Sequence, residues 1–279
     1  MKPFCDLEDR DTEENMKETL HLFKIGGAIL EDAAELENTL AFFSNLPGRK
    51  LLVHGGGRRA SQVSKLLGIE PQMQEGRRIT DAATLEVVTM VYAGLENKKV
   101  ASLLQAMHCN ALGLSGADGN IILAGKRPAG NIDYGFVGDI KKVDTKNLSA
   151  LLETGFTPVL CAITHDGQGQ LLNTNADTIA AELAIALAPH YQVYLYYCFE
   201  KAGVMTNVDN PDSLIAYLDP ESYSIHKELG NINEGMIPKL DNAFRALEAG
   251  AASVQVGSRK SIANGTATQL LLTTDFPKK

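Results

Sequence analysis

Twice within its first 60 residues the chain runs a short apolar segment directly into glycines that open an amphipathic helix. Leu22-Phe23-Lys24-Ile25 meets Gly26-Gly27, and Leu51-Leu52-Val53-His54 meets Gly55-Gly56-Gly57. Glycines at a strand-to-helix turn let backbone N–H groups approach a ligand closely, and the helix start behind them favours an anion. Two such turns after parallel strands lie side by side at the carboxyl edge of a sheet, where α/β proteins bind their ligands. A glycine can also simply end a strand. The matched pair, one of them triple, points instead to an anion-binding cradle.

Strand–helix alternation continues beyond these turns. Buried-strand runs fall at Leu22–Ile25, Leu51–His54, Pro158–Ile163, Val193–Tyr197 and Ser253–Val256. Ala176, Ile179, Ala180, Leu183 and Leu187 recur at helical spacing, as do Met236, Leu240, Ala243, Phe244 and Leu247. This order implies a mainly parallel central sheet covered on both faces, a three-layer α/β/α sandwich. Residues 111–145 differ, with turn signals at Ala117-Asp118-Gly119-Asn120 and Tyr134-Gly135 that suggest inserted hairpins. There is no internal repeat and no low-complexity tract, so residues 21–279 read as a single two-lobed domain.

Residues 1–20 stand apart. They hold seven acids against three bases, a net −4 that is half of the chain's −8. Their apolar positions do not repeat at helical spacing, so they read as a solvated acidic extension, with a helix docked on a partner subunit as the alternative. Lys+Arg 26 against Asp+Glu 34 excludes a general nucleic-acid surface, although a local cluster of lysines can still bind a small anion. No apolar run reaches the roughly 18 residues of a membrane span, and the acidic N-terminus lacks a signal core. Cys5, Cys109, Cys161 and Cys198 are far apart, with no CxxC pair. They read as reduced thiols, without a zinc site or any other protein-held metal, in a cytoplasmic protein.

Two phosphate motifs are excluded. Gly55-Gly56-Gly57-Arg58-Arg59-Ala60 fits G-x-G-x-x-A, but residues 74–78 are Gln-Glu-Gly-Arg-Arg, a loop where a dinucleotide site needs a strand ending in an acid. No Gly-Lys-Ser/Thr occurs, so there is no Walker A loop.

Other residues stand where packing alone would not put them. Lys24 interrupts an apolar strand, where an unpaired ammonium is costly unless it faces a cleft. Lys239 follows Pro238, which suits a first helical turn, and a cation there opposes the helix dipole unless an anion sits between. Either side chain could instead snorkel to an edge. In Leu172-Asn173-Thr174-Asn175-Ala176-Asp177, extended backbone turns Asn173 and Asn175 the same way. Asn175 or Asp177 could cap the helix that follows, yet three polar groups exceed what capping requires and could hold a polar substrate. Arg78, in Arg77-Arg78-Ile79-Thr80-Asp81, can grip a carboxylate in bidentate fashion, although Thr80 or Asp81 could cap the next helix and make this loop structural.

Together these segments resemble the amino acid kinase superfamily, most closely its acetylglutamate kinases, from about Leu22 to Leu272. Lys24-Ile25-Gly26-Gly27 and Val53-His54-Gly55-Gly56-Gly57 are general to the superfamily. The Arg78-Ile79-Thr80 loop, the run from Asn173 through Asp177 and Gly235-Met236-Ile237-Pro238-Lys239 are specific to these kinases. The resemblance implies ATP with Mg²⁺ as cofactor and an N-acylated glutamate as substrate. It also implies a homodimer, with no nucleic-acid or membrane partner. Lys24 and Lys239 would neutralise the phosphoryl group in flight, with Asp177 organising them. Gly26, Gly27 and Gly55 would serve ATP. Gly56, Gly57, Arg78, Asn173 and Asn175 would serve the substrate. A lobe of residues 21–175 would bind the acyl-amino acid and a lobe of 176–279 the nucleotide. Tyr196 to Val204 departs from the family pattern, lacking the aspartate usual beside the nucleotide. That departure motivates the alternative of a silent nucleotide- or amino-acid-binding protein; a superfamily kinase for another substrate is a further one.

Overall fold

A computed structural model describes residues 17–74, 77–207, 209–232 and 235–273. The first apolar run forms β1 (Thr19–Ile25), followed across Gly26 by α1 (Gly27–Glu31) and α2 (Ala33–Ser44). Next come β2 (Arg49–His54), α3 (Gly57–Leu66), and the short pair β3 (Met73–Gln74) and β4 (Arg77–Arg78). Helix α4 (Ala82–Thr89) runs through a π-helical stretch, Met90–Glu96, into α5 (Asn97–Ala106). After β5 (Ala111–Leu114) come β6 (Ile122–Lys126), β7 (Gly138–Val143), α6 (Thr145–Glu153), β8 (Thr157–Cys161), β9 (Ile163–His165) and β10 (Leu171–Asn173). The C-terminal part holds α7 (Ala176–Leu187), β11 (Gln192–Cys198), β12 (Tyr217–Leu218), α8 (Pro220–Glu228), α9 (Ile237–Glu248), β13 (Ser253–Gly257), α10 (Arg259–Ala263) and β14 (Thr268–Leu270).

Helix starts follow local chemistry. Asp32, Asp81, Asp144, Asn175 and Ser258 each accept a backbone N–H of the first turn behind them. Asp219 and Ser222 form a reciprocal capping box on α8. Each such cap stabilises its helix by about 1 kcal/mol.

Among the described residues the central sheet has eight strands in the order β12-β14-β13-β11-β1-β2-β8-β5, all neighbours parallel except β13 and β14. Helices on both faces complete the three layers, as the alternation predicts. Side chains of β1 alternate between two cores. Leu20 and Leu22 pack with α7 and α9, whereas Phe23 and Ile25 pack with α2 and α5. Each of these fully buried side chains contributes about 1.5–3 kcal/mol. The strand order reverses at β1, with β2 on one side and β11 on the other, so the carboxyl ends of β1 and β11 flank the switch point where α/β sheets bind ligands.

Three expectations need correction. The run Pro158–Ile163 is divided: β8 ends at Cys161 in the central sheet, and β9 starts at Ile163 in a second, four-stranded sheet of order β10-β9-β6-β7. Both halves are buried, so the apolar run carries no mark of the break. Within 111–145 a hairpin does form from β6 and β7, but residues 111–114 join the central sheet as an edge strand parallel to β8. The folded part also begins two residues early, since Thr19 and Leu20 already belong to β1; residues 1–16 of the acidic extension lie outside the described residues. Cys109, Cys161 and Cys198 are buried free thiols, and Cys5 lies outside the described residues. No described helix is long and apolar enough to cross a membrane.

Candidate active site

Alternation along β1 puts Lys24 on the Leu20–Leu22 face, toward the start of α7. There its Nζ lies 2.8 Å from Asp177 Oδ1. Asp177 is held in place because Asn175 caps α7, its Oδ1 accepting the Asp177 and Thr178 N–H groups at 2.8 and 3.0 Å. From the far end of the chain, the first turn of α9 brings Lys239 Nζ to 2.9 Å from both Asp177 oxygens. All three side chains are mostly buried. Burial pushes the Asp177 carboxyl up, but the two ammonium groups outweigh it and hold it well below the usual carboxylate range. Burial and the neighbouring Lys24 charge push Lys239 down to about 8, against the pull of Asp177. Its ammonium also sits 5.2 Å above the Tyr197 ring.

Two cations on one carboxylate leave one positive charge in excess. Both nitrogens touch Asp177 Oδ1, so they lie within about 6 Å of each other and repel by roughly 3 kcal/mol at an effective dielectric of 20. A second anion between them relieves that repulsion.

Beside it opens a cleft of about 520 Å³ whose lining includes Arg78, Asn173, Asn175, Asp177 and Pro238. Arg78 is buried on β4, its Nη2 donating to the Gly57 carbonyl at 2.8 Å and to Ser61 Oγ at 2.7 Å. Its Nη1 is buried and has no partner among the described residues. An unmatched buried donor on a cation is expensive, and a ligand carboxylate would satisfy it. Asn173 Nδ2 donates to Thr80 Oγ1 at 3.0 Å, which ties β10 to the Arg78-Ile79-Thr80 loop. Thr80 in turn is clamped by the hairpin: Phe136 N–H donates to its carbonyl at 2.7 Å.

The glycine turns are not equivalent. Gly26 gives its N–H to the Cys198 carbonyl at 2.9 Å, which corrects its expected role as a phosphate donor: the N–H extends the β1–β11 ladder instead. Gly27 opens α1 and Gly57 opens α3, where first-turn N–H groups lack intrahelical acceptors. Gly56 has φ +149, and a Cβ there would come within 2.8 Å of Tyr92 Cδ1. Gly55 faces Ala176, the first residue of α7.

The structure brings Lys24, Asp177 and Lys239 into one cluster and places Arg78, Asn173 and Asn175 around the adjoining cleft. Two further lining residues, Tyr92 and Arg127, escape sequence reasoning. Tyr92 lies in the π-helical stretch, whose irregular turn blurs helical spacing. Arg127 follows β6 and grips Asp139 through Nε and Nη2, while its Nη1 is buried without a partner among the described residues. In the sequence it is one more charge before a proline, with nothing to single it out. In the atypical stretch 196–204, Cys198 and Val204 are buried, and Glu200 and Lys201 are exposed.

A model of the amino acid kinase family matches residues 20–258. The chain is 52% identical to the acetylglutamate kinase of Cytophaga hutchinsonii over 87% of this chain and 92% of that one. It is 51% identical to that of Phocaeicola vulgatus, over 91% and 98%, and 36% identical to that of Methanopyrus kandleri, over 89% and 99%. Among solved structures, it superposes on the N-acetylglutamate synthase of Neisseria gonorrhoeae with a TM-score of 0.75 at 23% identity, over 94% of this chain and 61% of that one. It superposes on the carbamate kinase of Giardia lamblia with 0.63 at 12% identity, over 93% and 99%. At these identities the structural matches speak for the fold alone.

Proposed function

The chain belongs to the amino acid kinase family, among its acetylglutamate kinases, and from that premise we propose how its residues carry the reaction. The enzyme phosphorylates the side-chain carboxylate of N-acetyl-L-glutamate at the expense of ATP, a step in arginine biosynthesis. A carboxylate oxygen forms a bond to the γ-phosphorus, the bond from that phosphorus to the β–γ bridging oxygen breaks, and ADP leaves with those electrons. The attacking carboxylate, with a pKa of about 4.3, is already ionised at pH 7, so no general base is required. Catalysis reduces to alignment and charge neutralisation.

The observation that carries this reading is the Lys24–Asp177–Lys239 cluster at the rim of a cleft that Arg78 also lines. The two ammonium groups flank the phosphoryl group as its charge spreads in the transition state. Asp177 keeps them apart and charged. Gly27, Gly56 and Gly57 N–H groups, with Gly55 shaping the turn, face the phosphate oxygens and the accepting carboxylate. Arg78 takes the α-carboxylate and Asn173 the acyl amide, with Asn175 spent mainly on capping α7. Residues 21–175 hold the acylglutamate and residues 176–279 the nucleotide.

Among the described residues no three His, Cys, Asp or Glu side chains converge on one point, and Asp177 is engaged by two lysines. This donor set fits a Mg²⁺ carried by the phosphate oxygens of ATP, whose charge would help neutralise them. Leu66, Leu67, Met90 and Leu95 leave apolar surface on α3 and the π-helical stretch it packs against; that surface supports a homodimer, which light scattering tests. The acidic chain is assigned to the cytoplasm, where ATP is available.

One observation favours a second reading of the acyl group. Arg127 lines the cleft, and its guanidinium could meet an acyl chain that ends in its own carboxylate, such as succinyl. Trapping of the acyl phosphate with hydroxylamine tests both readings, using Mg-ATP with N-acetylglutamate, N-succinylglutamate, glutamate or aspartate. Signal with an acylated glutamate supports the kinase and names the acyl group. Silence on all four with ATP still bound refutes catalysis and leaves a silent binding protein.

A further inference from the structure

His54, the last residue of β2, is fully buried immediately before the three glycines. Its Nδ1 lies 2.8 Å from the Gly55 carbonyl oxygen, and its Nε2 lies 3.1 Å from Asn97 Nδ2. A carbonyl can only accept, so Nδ1 carries the proton and Nε2 accepts from the amide. Asn97, also fully buried, fixes this arrangement from α5. Its Nδ2 donates to the Val159 carbonyl at 2.9 Å and reaches that of Leu114 at 3.4 Å. Its Oδ1 accepts from Lys98 Nζ at 3.2 Å. Only a glycine at 113 leaves room for that oxygen, since a Cβ there would collide with it. Burial, then the Lys98 charge, push the His54 ring down to about 4 against the Gly55 hydrogen bond, so it stays neutral with a single N–H. That N–H is spent on one backbone carbonyl at the head of the cradle.

We propose that His54 is a positioning residue of the phosphate cradle, which through the Gly55 carbonyl sets the direction of the Gly56 N–H. A peptide unit is planar and trans, so the Gly55 C=O and the Gly56 N–H point opposite ways, and pinning one aims the other. The pin is needed because glycine is free to rotate here: Gly56 sits at φ +149, between two other glycines. On its other side the Tyr92 ring leaves no space for a side chain at Gly56. The His54–Asn97 pair thus does for the amide what the Asn175 cap does for Asp177. The inference rests on the reading of this turn as part of the phosphoryl site.

The test is His54→Phe, which keeps a ring and removes both nitrogens, together with Asn97→Ser, which keeps His54 but removes the donor that fixes its tautomer. Melting temperature, kcat and both KM values are measured. In protein labelled with ¹⁵N-glycine, the Gly56 amide shift on adding a non-hydrolysable ATP analogue is also followed. H54F should lose about 10- to 100-fold in kcat, as expected for one misaimed donor, with KM values within about threefold. The nucleotide-induced Gly56 shift should collapse, N97S should fall between H54F and wild type, and His54→Gln, which can still donate, should recover part of the loss. A folded H54F with wild-type kcat and an unchanged Gly56 shift would overturn the proposal. So would losses that simply track melting temperature across the three variants. If H54F fails to fold, N97S with a wild-type Gly56 shift overturns it equally. Absence of acyl phosphate from the wild-type protein would sink the kinase reading instead, and the Gly56 comparison would still decide this one.

Discussion

Replacing Lys239 by methionine should separate catalysis from stability in opposite directions. An ammonium about 4 Å from the transferred group stabilises a unit of developing charge by about 4 kcal/mol at an effective dielectric of 20. Losing it therefore costs about 10³-fold in kcat. For folding the sign reverses. Lys239 releases its proton near 8 in the folded protein and near 10.5 when unperturbed, so the unfolded chain binds more protons between those values and stability rises with pH across that window. Below pH 8 the cost of holding the buried charge is fully present, roughly 3 kcal/mol at about 1.4 kcal/mol per pH unit. Methionine keeps the unbranched stem and removes the charge, so at pH 7 the variant should melt a few degrees higher, not lower. Acyl-phosphate trapping under saturating substrates and a thermal melt read the two effects. A kcat within tenfold of wild type would refute the phosphoryl-site assignment. A melting point several degrees lower would show that the ammonium is a structural strut.

The same lysine should put an alkaline limb on kcat/KM, which falls above about pH 8 as free enzyme loses the Lys239 proton and is absent from the methionine variant; a wild-type profile flat to about pH 9.5 would contradict it. Gly56→Ala forces a side chain into a φ of +149 and against Tyr92, and should cost about 100-fold in kcat through a displaced turn; full activity would mean the turn does not bind phosphate. Arg78→Lys exchanges a planar fork for a point charge, and should raise the KM for the acylglutamate about 100-fold with little change in kcat. Gly135→Ala places a methyl against the Thr80 carbonyl at a φ of +71; a loss of about 2 kcal/mol or more by denaturant melts is expected, with a raised substrate KM as Thr80 lets go of Asn173.

Much of the Lys24–Asp177–Lys239 cluster was legible because its members break local rules. An ammonium in an apolar strand, another in a first helical turn, and polar groups beyond what capping requires all conflict with packing, and conflicts of that kind mark function. Strand positions were legible wherever one run served one sheet. The break at Ala162 was not, because a chain passing from one buried sheet to another keeps the same apolar pattern. Nor was β5, whose Leu-Gly-Leu lacks the alternation of a longer strand. Arg127 and Tyr92 are hidden for different reasons: Arg127 reaches the cleft only because β6 joins the second sheet, a tertiary fact with no periodic trace, and Tyr92 sits in the π-helical stretch, which breaks helical spacing. Gly26 was over-read, since a strand-end glycine that serves β11 looks the same in sequence as one that serves a ligand.

Asp177 joins a lysine from the first strand, β1, to one in the first turn of α9, and the Lys24 and Asp177 positions are separated by more than half the chain. Contacts of such long range close late in folding, because their loop entropy must be met before they give anything back. During synthesis the Lys24–Asp177–Lys239 cluster cannot close until α9 has left the ribosome, so on the reading proposed above a chain truncated before α9 should not turn over ATP. In refolding, recovered kinase activity should lag the return of helical signal and report the completed topology.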